Sequence, residues 1–309
     1  MSRSRKASET RLWVLVAVGA LGVIAILLVI FALRTPSVPD RGELPGPAPT
    51  WHSSPEAPTP SPTPSDGQIP VAQTRVFTMF DSQTGMRATT GECATGESPT
   101  AERTADGGRT WTPVSFANPP VRQILSISYV GDSQIDVVVK TGSNCSVSLY
   151  RSFTGGDFWE ESQSGLAQAI YVDPSAPAVL QDEGSKVDAP CPAILSVAAR
   201  SQGVVVTCAD GIFGYASGAW TKLSQEVVDT VAVDPSTSSM LGATVVPGAC
   251  GGPTVLAYSP TVPGEGVERG CIAGAAGGGV LAYGGGAPWY WGTSGTLTSR
   301  DGGASWVSP

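Results

Sequence analysis

Histidine, the usual side-chain base near neutral pH, occurs once in this chain of 309 residues, as His52. A Ser-His-Asp triad or a Cys-His pair needs an imidazole as its base. His52 stands among prolines and reads as a solvated side chain, so residues 71–309 hold no such machinery. Cleavage of a glycosidic bond needs only two carboxylates at a suitable separation. Asp81, Asp132, Asp136 and Glu226 are candidates for that work, although any acidic domain offers similar ones. No residue is singled out as catalytic. The densest aromatic group is Trp289-Tyr290-Trp291. On a strand, Trp289 and Trp291 share one face and Tyr290 takes the other. These rings are the candidate binding residues, able to stack on a sugar or clamp a peptide; packing inside the fold is the competing use. The glycine-rich run Gly274 to Gly286 has no following helix to aim N–H groups at a phosphate. It reads as wide hairpin turns.

The elements that must position these residues fall into three unlike segments. Residues 12–33 form an uncharged run of 22, bounded by Arg11 and Arg34. As a helix it spans about 33 Å at 1.5 Å per residue, enough for a hydrocarbon core of about 30 Å. Trp13 suits the headgroup region, and Arg3, Arg5, Lys6 and Arg11 outnumber the cations that follow the run, Arg34 and Arg41. This bias puts residues 1–11 in the cytoplasm. The run exceeds the roughly 7–15 apolar residues of a signal peptide, so an uncleaved transmembrane anchor is expected. Residues 34–70 hold 11 of the 26 prolines. Proline fixes φ and removes a backbone donor, so this segment is expected to be a disordered, extended stalk. Residues 71–309 then form an extracytoplasmic domain.

That domain shows no long amphipathic helical pattern. Short β-branched runs (Arg75 to Phe80, Ile124 to Val130, Ile135 to Lys140, Gly203 to Cys208, Val227 to Val233) alternate with Gly, Ser, Asp and Pro clusters, which reads as all-β with tight turns. Three segments share the form [ST]-x-[DT]-G-G-x-x-W: Thr104 to Trp111, Ser152 to Trp159 and Ser299 to Trp306. A shortened cousin is Tyr215 to Trp220. A second marker, Val-Asp-Pro-Ser, begins at Val172 and Val233, each 13 residues after a marked tryptophan, Trp159 and Trp220. Two markers keeping one offset signal a repeat architecture.

The first and last copies resemble the Asp-box, or BNR repeat, of sialidase-like β-propellers, and the same endings resemble photosystem-assembly-factor-like propellers. Thr104, Asp106, Gly108 and Trp111 fit the motif, as do Ser299, Asp301, Gly303 and Trp306; in Ser152, Gly156 and Trp159 the pattern continues, but Thr154 replaces the acid. The resemblance implies a peripheral turn, so these residues are expected to build the fold. It also implies a β-propeller of four-stranded blades, which together with the anchor read from residues 12–33 is expected to be a membrane-anchored bacterial, actinobacterial form. Spacing between the tryptophans gives five blades, or six if the N-terminal strands open a further unit. The Arg-Ile-Pro signature and arginine triad of the sialidases have no counterpart here.

Six cysteines, Cys93, Cys145, Cys191, Cys208, Cys250 and Cys271, lie beyond the anchor. Export makes disulfides their expected state, and 15 pairings are open. Cys191–Cys208 and Cys250–Cys271, each within one blade, are favoured, leaving Cys93–Cys145. No C-x-x-C spacing or domain histidine supports zinc, so no metal and no cofactor is expected. The formal charge of the chain is -8. From residue 71 onward there are 12 Lys and Arg against 21 Asp and Glu, which argues against nucleic acid and anionic surfaces as partners. The leading functional expectation is a membrane-anchored, non-catalytic binding or scaffold module for a protein or a cell-envelope glycan. The alternatives are a glycoside hydrolase or lyase with paired carboxylates in the central pocket, and an assembly factor for a membrane complex.

Overall fold

The computed structural model describes residues 74–116, 119–131, 133–247, 250–275 and 278–309. The anchor expected at 12–33, the stalk at 34–70, His52 and Asp132 lie outside the described residues. Among the described residues no helix is long and apolar enough to cross a membrane.

Six antiparallel sheets follow one another along the chain, and within each sheet sequential strands are neighbours. Blade 1 holds β1 (Arg75–Met79), β2 (Gly85–Thr89), β3 (Thr100–Thr104) and β4 (Thr112–Pro113). Blade 2 holds β5 (Val121–Tyr129), β6 (Ile135–Thr141), β7 (Ser146–Ser152) and β8 (Glu160–Glu161), followed by a one-turn helix, α1 (Gln163–Leu166). Blade 3 has three strands, β9 (Ile170–Val172), β10 (Val179–Asp182) and β11 (Ser185–Asp188). Blade 4 holds β12 (Ser196–Arg200), β13 (Gly203–Cys208), β14 (Gly211–Ala216) and β15 (Ala219–Ser224). Blade 5 holds β16 (Thr230–Val233), β17 (Met240–Pro247), β18 (Pro253–Tyr258) and β19 (Val267–Cys271). Blade 6 holds β20 (Gly279–Gly284), β21 (Ala287–Gly292) and β22 (Gly295–Thr298), and Val307 bridges to Thr298 as a fourth element.

The first strands of the six blades adjoin one another in a closed ring: β1, β5, β9, β12, β16, β20 and back to β1. The chain is therefore an all-β, six-bladed β-propeller. The spacing-based count of five is corrected, and the extra blade is not the N-terminal one. It is blade 3, hidden between Trp159 and Trp220. Its strands are three or four residues long, too short to show an alternating pattern.

β-Branched side chains make this ring. Every residue of β6 is buried, and Val204, Val205 and Val206 of β13 are fully buried. Such residues fit a pleated surface packed on both faces. Five buried clusters lie between neighbouring blades: 1 and 2, 3 and 4, 4 and 5, 5 and 6, and 6 and 1. The last seals the ring, with Phe77 and Met79 against Val280, Ala282 and Trp289.

The Asp-box turns show how their spacing works. Asp106 Oδ1 accepts the Thr110 N–H at 2.9 Å and Oδ2 accepts the Thr110 hydroxyl at 2.7 Å. Gly108 N–H donates to Thr104 Oγ1 at 2.8 Å, and Trp111 Nε1 donates to the Gly108 carbonyl at 3.0 Å. Gly108 has φ of 81°, a region that glycine enters without a steric cost. Asp301 makes the same pair of bonds to Ser305. In the middle copy Thr154 Oγ1 accepts the Phe158 N–H at 2.9 Å. Its hydroxyl replaces one half of the carboxylate, and position 158 carries no hydroxyl for the other half. The second marker is also a cap: Asp173 Oδ1 accepts Ser175 N–H at 2.8 Å, and Asp234 Oδ1 accepts Ser236 N–H at 2.8 Å.

The backbone and hydroxyl bonds from Thr110 lower Asp106 to about 2, and those from Ser305 push Asp301 below the usual carboxylate range. Their folded values lie below the unfolded value of about 3.9. Their stabilising contribution is therefore complete above pH 4 and disappears as pH falls through the folded values. A protein with both Asp106→Asn and Asp301→Asn should unfold more easily than wild type at pH 6. The two urea midpoints should converge towards pH 2. A gap that persists unchanged at pH 2 would contradict this origin.

Disulfides join Cys93 to Cys145, Cys191 to Cys208 and Cys250 to Cys271. The first ties the β2–β3 loop of blade 1 to the β6–β7 loop of blade 2. Cys191 stands in the connection between blades 3 and 4, so that bridge is not confined to one blade as expected. The third lies within blade 5.

Candidate binding cavity

Blade 3 differs from its neighbours in direction as well as size. Lys140, which pairs with Gln123 near the start of β5, reaches Asp173 just past the end of β9, with Nζ 2.5 Å from Oδ1. Arg151, opposite Asp136 and hence near the end of β5, packs against Gly165 just before β9. On the other side, Ile194, just before β12, donates its N–H to the Pro177 carbonyl, just beyond β9. β9 therefore runs opposite to both β5 and β12. Strand parity explains this. An even number of antiparallel strands returns the chain to the face from which it started. β8 stops after two residues, and Ser162 N–H closes onto the Leu149 carbonyl as α1 begins. The chain never climbs back, so β9 starts from the opposite face. Three strands in blade 3, an odd number, then restore the direction for β12.

The reversal leaves the space between blades 2 and 3 without a buried apolar cluster among the described residues. A cavity of about 770 Å³ lies along the ring axis, lined by the first strands of all six blades, and extends into this space between blades 2 and 3. It reaches from Arg75 and Thr230 at one end to Val130 and Glu183 at the other. Its walls are mainly aliphatic, with Ile124, Ile127, Leu149, Val172 and Val197 among them. Gly165 makes room: a Cβ there would stand 2.8 Å from both Arg151 Nη2 and Leu149 Cδ2. Exposed Ser128 and Gln168 supply hydrogen-bonding groups.

Two carboxylates are among the lining residues, Asp136 and Glu183. Asp136 is buried and held through both oxygens, by Arg151 Nε at 2.7 Å and Nη2 at 2.6 Å. That bond raises the Arg151 pKa further above its ordinary value, against the opposing effect of burial. Of the other candidate acids among the described residues, Asp81 serves a turn and Glu226 ties two distant loops together. Asp81 Oδ1 accepts the N–H groups of Gln83 and Thr84 at 2.7 and 2.6 Å. Glu226 Oε2 accepts Gly266 N–H at 2.6 Å.

The aromatic triplet occupies β21, with Trp289 and Trp291 facing blade 1 and Tyr290 facing blade 5. Trp289 is 3% exposed and Tyr290 is fully buried. Both rings are covered within the fold, the packing use that competes with binding. Trp291 keeps partial exposure, yet the Arg75 and Arg87 guanidinium groups lie 5.4 and 5.2 Å from its ring. Arg87 also stacks over Trp111 at 4.1 Å. The aromatic residues are thus used to weld blade 6 to blade 1. Gly285 and Gly286 have φ of 61° and 73° and form the two-residue turn between β20 and β21. This two-residue hairpin is tighter than the wide turns expected for the run, of which Gly279–Gly284 forms strand β20.

The cavity residues Gln168, Tyr171 and Glu183 escaped sequence reading. No pattern in the sequence marks them, because the shortening of β8 to two residues between Trp159 and α1 is visible only in the fold.

No protein-family model and no curated protein matches this chain. Among solved structures it is similar to YCF48 bound to D1 peptide, at 18% identity over 77% of this chain and 82% of that one, with a TM-score of 0.45. It is similar to the Aleuria aurantia lectin in complex with alpha-methyl-L-fucoside, at 10% identity over 76% and 93%, with a TM-score of 0.46. A GH74 xyloglucanase from Xanthomonas campestris matches at 13% identity over 75% of this chain and 37% of that one, with a TM-score of 0.28. All three values are too low to say anything of what this chain binds.

Proposed function

We propose that this chain is a non-catalytic binding module whose propeller is displayed outside the membrane by the N-terminal anchor and stalk. Its ligand is a polypeptide segment held in the cavity between blades 2 and 3. One observation carries the reading: five blade interfaces are filled by apolar clusters, while the sixth is left open as an aliphatic-walled cavity with polar groups at its edges. Cavities of roughly 300–1,000 Å³ with apolar walls and a few polar groups are typical ligand sites. Aliphatic walls suit apolar peptide side chains better than a sugar. No tryptophan lines the cavity, and Phe77, one of its two aromatic residues, is buried among Trp111 and Trp291. Arg151 occupies both oxygens of Asp136, which supports binding over hydrolysis, because a general acid or base must reach the reacting group with a hydrogen-bonding oxygen. Three disulfides support an oxidising location outside the cytoplasm.

Ser128 is exposed on the cavity wall, so a bulky side chain there leaves the core untouched. Full-length chain carrying a photo-crosslinker at Gln168 should capture a polypeptide from its native membrane, while a glycan array remains blank. Adding Ser128→Trp should reduce that capture at least tenfold with no change in melting temperature. Undiminished capture with the cavity filled would rule out this site.

A further inference from the structure

A second hollow, of about 290 Å³, lies between blades 4 and 5, on the face that carries the β12–β13 and β18–β19 turns. Arg200, the last residue of β12, forms one wall. Its Nη1 donates to the Pro260 carbonyl at 2.6 Å and its Nη2 to the Tyr215 carbonyl at 3.4 Å. Its Nε is buried without a partner. Ser201, Gln202, Thr221, Ser238 and Thr261 surround it, and no Asp or Glu is among the lining residues. Gly214, in the middle of β14, opens the floor: a Cβ there would lie 3.5 Å from Arg200 Nη2.

The missing counter-ion is the telling feature. Arg87, Arg103, Lys140, Arg151 and Lys222 each meet a carboxylate, namely Glu102, Asp157, Asp173, Asp136 and Asp210, while Arg75 and Arg122 are, like Arg200, partly buried without an ion pair among the described residues. With 21 acidic residues against 12 basic ones from residue 71 onward, acids are plentiful. Arg200 nonetheless has only neutral carbonyls. Two of its five N–H groups are engaged, and a partly buried cation without an anion carries an electrostatic cost.

We propose that this hollow binds a carboxylate, the acidic side chain of a polypeptide. The flat guanidinium fork matches a carboxylate, and the hydroxyls around it supply further hydrogen bonds. No aromatic residue lines the hollow to stack on a sugar ring. It lies apart from the cavity between blades 2 and 3 and does not depend on the function assigned to that cavity.

The test is titration of the full-length chain in detergent, at constant ionic strength balanced with chloride, followed by NMR or thermal shift. The probes are N-acetylglutamate amide and glucuronate. The glutamate probe should give a saturable response, and Arg200→Gln should weaken it at least tenfold. Gln202→Glu, which supplies a built-in carboxylate while keeping Arg200, should abolish the response and raise the melting temperature. A response no larger than that to chloride, or one equal in Arg200→Gln, overturns the site. A stronger response to glucuronate overturns its assignment to polypeptide. Should Arg200→Gln not fold, an undiminished response in Gln202→Glu is sufficient to reject the proposal.

Discussion

Replacing Asp136 with alanine should destabilise the propeller by about 3–5 kcal/mol, because it strands the Arg151 guanidinium in a partly buried site. The side chains of Arg151 and Asp136 are only 18% and 8% exposed, and both ends of the fork are used. For a domain of this size the loss corresponds to a fall in Tm on the order of 10 °C. The pair stands on β6 and β7 against the interface that lacks an apolar cluster, so no hydrophobic contact is available to replace it. A double replacement, Asp136→Leu with Arg151→Met, should recover most of the loss, since removing both charges leaves no orphan. Urea unfolding of the two proteins measures the difference. A loss below about 1 kcal/mol in the single variant, the usual upper value for an exposed pair, would mean that water screens the ions and that the cavity is wetter than its walls indicate.

Asp229→Asn should stabilise the protein near neutral pH by up to about 3 kcal/mol. Asp229 is 7% exposed, and burial is the cause that acts on its carboxylate. Burial pushes its pKa up to about 6. Each pH unit between folded and unfolded values is worth about 1.4 kcal/mol. From about pH 4 to about pH 6 the folded state retains a proton that the unfolded state has lost, so stability falls as pH rises through this window. Above it the full penalty remains. Asparagine cannot ionise, so the advantage of the variant should grow from nothing at pH 4 to its maximum above pH 6. The difference between the two unfolding free energies isolates this group from the Asp-box acids, which titrate lower and act in the opposite direction. An advantage that does not vary with pH would assign the effect to packing against Tyr290, whose hydroxyl is buried nearby without a partner.

Both predictions concern residues whose types were visible in the chain and whose roles were not. Asp136 stood among four candidate acids with nothing to separate it from Asp81. Its role depends on Arg151, which lies opposite it only after β6 and β7 pair. Asp229 looked like an ordinary acid before a strand, and its altered proton affinity comes from sheets that close over it. Trp289 and Trp291 were correctly read as sharing a face. Which face is covered depends on blade 1, whose strands are some 200 residues earlier in the chain.

Local chemistry was the legible part. An Asp-box needs its hydroxyl, acid, glycine and tryptophan at fixed offsets because every bond in it spans two to four residues, and those offsets are written in the chain. The same holds for the hairpin glycines and for the β-branched runs of the inner strands. The sequence by itself therefore determined an all-β chain with its marked turns, and the resemblance of those turns to the Asp-box implied the propeller. Only the tertiary structure decided the number of blades, the reversed course of β9 and the cavity beside it. These arise from parity and closure: a strand cut to two residues sends the chain on from the wrong face, and the six-membered ring must absorb that reversal in space. No short-range pattern encodes such a constraint.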